Sequence, residues 1–163
     1  GATTGYYHHG EEVLVCEPRA GVGYPFGGNM AIRRSRALQV DGFREDLGLG
    51  KKMIPAEETD LFSRMRADGA KILYMPAPSV NHHVDMGRTN LKHWRRWHRG
   101  SGRAYILMKP PRSSISWLLK FTEYLFNLAF FSIRMLLPGG RRSFRSHRKQ
   151  GQAAGRLAQM IGI

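Results

Sequence analysis

The sequence holds a single cysteine, Cys16, among 163 residues. No disulfide can form within the chain, which excludes a stapled secreted scaffold and fits a reducing compartment. Acidic residues are also scarce, with 12 Asp and Glu against 26 Lys and Arg, a formal charge of +14. Aromatic residues make up only 10% of the chain, yet 42% of it is apolar. That excludes a disordered polyelectrolyte and leaves material for one domain with a core. The opening "GATTGYYHHGEE" has neither a basic leader nor an apolar stretch, so no signal peptide is expected. His8 and His9 are adjacent rather than one helical turn apart, and read as surface residues. Neither an internal repeat nor an Asp-x-Asp pair occurs.

The shortage of acid is local. Residues 1–84 hold 10 basic and 10 acidic side chains, whereas residues 85–163 hold 16 and 2. In the neutral part, Val13 to Cys16 predicts a short strand, and Gly21, Gly23, Pro25, Gly27 and Gly28 predict a loop reaching Asn29. A strand over Met30 to Arg33 follows, then a short helix opened by Ser35 and closed near Gly42. Pro55, the acids after it and apolar Leu61, Phe62 and Met65 predict a helix stopped by Gly69. Ile72 to Val80 then reads as an edge-like strand leading to His82 and His83.

In the basic part, Arg88 to Arg103 interleaves Arg and Lys with Trp94, Trp97, His93 and His98, a helical pattern ended by Pro110 and Pro111. Ile115 to Leu137 is mostly apolar, and as a helix would be roughly 34 Å long, enough to cross a bilayer core. Lys120, Glu123, Asn127 and Arg134 nevertheless share one stripe about 60° wide. A charge at a bilayer centre costs about 2.5 to 3.5 kcal/mol, so a helix lying in the interface is favoured over a span. Arg141, Arg142, Arg145, Arg148 and Lys149 follow as a basic tail suited to anionic headgroups. An ordinary core helix with a solvated tail is the plainer alternative.

Three acids, Glu57, Glu58 and Asp60, fall in the first turn of the predicted helix after a Gly-rich loop. Acids there gain about 0.3 to 1 kcal/mol from the helix dipole, which explains them without chemistry. A carboxylate at a loop–helix junction can equally serve as a general base toward a hydroxyl.

The runs "GYPFGGNMAIRRSRALQVDGFREDLG", "AEETDLFSRMRADGAKILYMPAPSVNHHV" and "RTNLKHWRRWHRGSGR" occur in that order over about residues 20 to 103. Together they resemble the C-terminal half of family 2 glycosyltransferases of GT-A fold. The resemblance implies an α/β chain, an incomplete GT-A-type fold holding the acceptor-binding half over residues 1–104. A linker over 105–114 and amphipathic, membrane-associated helices with a basic tail over 115–163 would follow.

By the same resemblance, Gly27, Gly28 and Asn29 form the loop that closes over donor and acceptor, the alternative being a plain turn. Glu58 falls where relatives carry the Asp of a Glu-Asp pair, the base that deprotonates the acceptor. Glu57 would orient acceptor or base, and Asp60 is an alternative base or a helix-face acid. His82 would approach the donor diphosphate or its metal, a divalent Mg or Mn. Arg88, Arg95, Arg96 and Trp97 would face the diphosphate, where guanidinium groups bond phosphate in pairs; a solvated face is the alternative.

The implied activity is inverting transfer from a nucleotide-sugar donor to a glycan or lipid-linked acceptor in polysaccharide or glycolipid synthesis. It would take place on an anionic membrane surface at the cytoplasmic face. A nucleotide-binding half would be missing on the N-terminal side, leaving the isolated chain inactive. Two other classes compete: a basic nucleic-acid-binding module, which the neutral first half argues against, and a non-catalytic membrane-peripheral scaffold.

Overall fold

The computed structural model describes residues 9–17, 23–25, 27–50, 53–81, 83, 85–137 and 143–163. These form two units: one from residues up to 45 with 57–84, the other from 46–56 with 85–163.

The first unit is built around β1 (Leu14–Val15), α1 (Arg34–Gln39), α2 (Glu57–Ala67) and β2 (Leu73–Tyr74). β1 and β2 pair antiparallel, Leu14 with Tyr74 and Val15 with Leu73. The Cys16 N–H extends the pairing by donating to the Ile72 carbonyl at 2.8 Å. α2 buries Leu61, Phe62 and Met65 against Cys16 and Ile72, with Tyr24, Met30, Ile32 and Val40 packed around them. The i, i+1 and i+4 spacing of the three α2 residues makes this stripe. Burial pushes the Cys16 thiol up from its ordinary value, as expected of an inert core cysteine.

The second unit is helical. α3 (Leu91–Met108), α4 (Ser114–Leu136) and α5 (Phe144–Met160) make its body, and a 3-10 turn over Met86–Arg88 precedes α3. Polar caps open all three helices. The side chains of Asn90, Ser113 and Ser143 accept from the backbone N–H of His93, Ser116 and Ser146 respectively.

α5 lies between the other two helices and meets α3 through glycine. A Cβ on Gly155 would overlap the Arg99 carbonyl, one on Gly102 the Gln152 carbonyl, and one on Gly151 would press on His98 Cβ at 3.1 Å. These contacts advance together along both chains, so α3 and α5 run parallel. Against α4 the order reverses: Gln150 donates to Ser132 Oγ at 3.2 Å, while Leu157 packs with Tyr124 and Ile106. The Arg156 guanidinium lies over the rings of Tyr105 and Tyr124, 4.3 and 4.9 Å from their centroids. Leu47 and Ile54 pack with Ala104 of α3.

The expected α/β fold with an incomplete GT-A-type sheet is therefore wrong. Among the described residues there are five α-helices and one antiparallel pair of two-residue strands. Met30 to Arg33 forms no strand, and the expected strand from Ile72 to Val80 contracts to Leu73–Tyr74. The physical reason lies in pairing. Pro76 and Pro78 lack the N–H that a ladder needs, and β1 finds a partner only over two residues. The C-terminal helices also differ from a helix with a loose basic tail. Residues 144–160 fold as α5 and pack against both α3 and α4. Arg141 and Arg142 lie outside the described residues. Among the described residues, no helix is long and apolar enough to cross a membrane.

Candidate functional site

In the first unit, the Gly27 turn lies beside the N-terminus of α2. A Cβ built on Gly27 would sit 3.0 Å from Glu58 Oε1, so the turn and this carboxylate are close neighbours and a larger residue at 27 would press on the carboxylate. Asn29 Nδ2 donates to the Pro78 carbonyl at 3.0 Å, tying the turn to the segment that follows β2. Gly28 and Asn29 are exposed, while Gly27, Glu57 and Glu58 are half-buried. Ala56, immediately before α2, has φ 114°.

The three acids have separate surroundings. Asp60 is buried, and its Oδ2 accepts from Arg64 Nε at 2.7 Å while Oδ1 lies 3.6 Å from Arg44. Arg64 in turn donates to the carbonyls of Val40 and Gly42. Asp60 thus anchors the end of α1 to α2. Glu57 is also engaged by a neighbour. No ion pair or side-chain hydrogen bond to a described residue engages Glu58, which leaves its oxygens for a proton from outside.

The residues expected at a donor diphosphate belong to the second unit. Arg88 is exposed in the 3-10 turn, which Asp85 Oδ1 caps by accepting from Gly87 N at 2.6 Å. Arg95, Arg96 and Trp97 occupy consecutive positions of α3, so their side chains leave the helix about 100° apart and do not converge. Arg95 reaches α5, its Nη2 lying 3.5 Å from His147 Nδ1. Arg96 is exposed, and half-buried Trp97 lies beside the ring of His93 at 6.4 Å. His82 lies outside the described residues. Among the described residues, no three His, Cys, Asp or Glu side chains gather as a metal-ligand set.

The interleaving of His98 with Arg and Trp along α3 gives no sign of its burial or of the glycines that surround it. His98 is buried on α3, and Trp94 meets it edge-on at 4.4 Å between ring centroids. Neither ring nitrogen has a hydrogen-bond partner among the described residues. Burial, and then the charge of Arg148, hold its pKa down at about 4. The signal available in the sequence was Gly151 and Gly155, one helical turn apart, with Gly100 and Gly102 on the partner helix. Compared with protein-family models, curated proteins and solved structures, the chain matches none.

Proposed function

We propose that this chain supplies the acceptor side of a glycosyltransferase. The enzyme would move a sugar, with inversion, from a nucleotide-sugar donor to a hydroxyl of a glycan or lipid-linked acceptor. The observation that supports this reading is the Glu58 carboxylate beside the Gly27 turn, with Oε1 at 3.0 Å from a Gly27 Cβ position. A half-buried carboxylate with no ion pair or side-chain hydrogen bond among the described residues, next to the Gly27 turn, suits a general base toward a bound hydroxyl.

Glu58 takes the hydroxyl proton as the acceptor oxygen attacks the anomeric carbon. The new carbon–oxygen bond forms while the bond to the donor phosphate breaks, and the electron pair leaves on the nucleoside diphosphate. Asn29 and the Gly27–Gly28 backbone hold the acceptor.

The test is genetic and uses the protein as its own cells make it. A strain lacking the gene should lose a sugar-labelled glycan or glycolipid. A chromosomal Glu58→Gln substitution should reproduce that loss at an unchanged protein level. A Glu58→Gln strain with the wild-type product would overturn the assignment of the base, and a deletion strain that loses no glycosylated product would overturn the activity.

A further inference from the structure

We propose that the outward face of α4, with the Arg95 cleft along its edge, is a docking surface for an anionic phospholipid bilayer. The proposal is independent of the sugar-transfer reading. It begins with a helix whose only buried residue is Tyr124. Ile115, Leu119, Phe126, Phe130, Ile133 and Leu136 share an arc about 120° wide. All six are exposed, Phe126 and Leu136 by 70% and 73%. Tyr124 and Leu128 point the other way, into the cluster with Ile106 and Leu157. α4 thus has one apolar face for its own unit and a second for something else.

The charge around that face selects the occupant. Lys120, Glu123 and Arg134 run along one border of the arc. Along the other, near the C-terminal end of α4, is a cleft of about 350 Å³ lined by Leu91, Arg95, Ser132, Met135, Leu136 and His147. His147 is 5% exposed, and exposed Arg95 extends to it across 3.5 Å. Apolar walls with a guanidinium at the rim suit an amphiphile that carries an anionic phosphate. Residues 85–163 hold 16 basic and 2 acidic side chains. A second copy would bring together two chains of formal charge +14, at an electrostatic cost. Nucleic acid would satisfy the charge but leave the apolar arc in water. An anionic bilayer satisfies both, with the arc sunk about 5 to 10 Å into the boundary between headgroups and acyl chains.

The experiment is flotation of the 163-residue chain with vesicles of phosphatidylcholine alone or mixed with phosphatidylglycerol. The wild-type chain should float with the mixed vesicles and much less with the neutral ones. The double variant Phe126→Asp/Ile133→Asp should lower partitioning at least about tenfold on both. Arg95→Ala should lower it about fivefold on the anionic vesicles only. All three positions are exposed, so circular dichroism melts should match the wild type. Undiminished flotation of the double variant would overturn the proposal. So would a dimer in light scattering that Phe126→Asp/Ile133→Asp dissolves, or salt-sensitive nucleic-acid binding by a chain that does not float.

Discussion

Glu58 and Asp60 stand two positions apart on α2, and their surroundings divide their work. Asp60 is closed in by Arg64 and Arg44, so its loss is expected to appear in folding. Asp60→Asn should lower stability by about 1 to 3 kcal/mol in a urea titration, through the weakened charge-assisted bond. Glu58→Gln should leave the same titration within about 0.5 kcal/mol of wild type. The acids were legible as a group in "AEETDL", but their division was not, since it depends on Arg44, 16 positions away in the chain. His98 carries the second prediction at this scale. Its ring takes a proton at about 6.5 when exposed and at about 4 in the fold. Between those values the unfolded chain binds more protons, so stability is full above about pH 6.5 and falls as the pH drops toward 4. The loss should be on the order of 2 kcal/mol in urea titrations across that window. His98→Leu should flatten it; an unchanged slope would assign the acid sensitivity elsewhere.

At the scale of elements, α2 and α4 were legible because their apolar stripes keep a helical period, and α3 because its pattern runs unbroken toward Pro110. The strands were not, because two-residue pairing leaves almost no alternation to read. α5 was hidden for a different reason. Its first half, "FRSHRKQ", is rich in charge, and Gly151 and Gly155 each cost a helix about 1 kcal/mol relative to Ala. Contact with α3 compensates, because the missing side chains let two backbones meet. Ser143 before Phe144 was the cap that could have marked the start. Gly155→Leu should therefore lower stability by about 3 kcal/mol or more, since the new side chain meets the Arg99 carbonyl and backbone. Gly50→Ala, where a Cβ meets nothing within 4 Å, should leave the thermal midpoint nearly unchanged. Equal melts for the two variants would contradict the parallel glycine contact between α3 and α5.

For the whole molecule, the division between a neutral and a basic half, visible in the counts, separates two kinds of chemistry. The neutral unit holds the carboxylate proposed as base, and the basic unit holds the apolar arc and its cations. The resemblance in residue order pointed to an α/β chain with an incomplete GT-A-type fold, and the described fold is instead mostly helical. Order in a sequence preserves residue types and spacing, whereas a sheet also needs strand partners, and among the described residues β1 and β2 pair only with each other. The central claim is that Glu58 accepts the proton of an acceptor hydroxyl, and the most direct test compares sugar-labelled products in wild-type, deletion and Glu58→Gln strains. Loss of the product in both mutant strains, with at least about a hundredfold drop in the Glu58→Gln strain at equal protein level, is the predicted result. A Glu58→Gln strain that makes the product at the wild-type rate, beside a deletion strain that makes none, would contradict it.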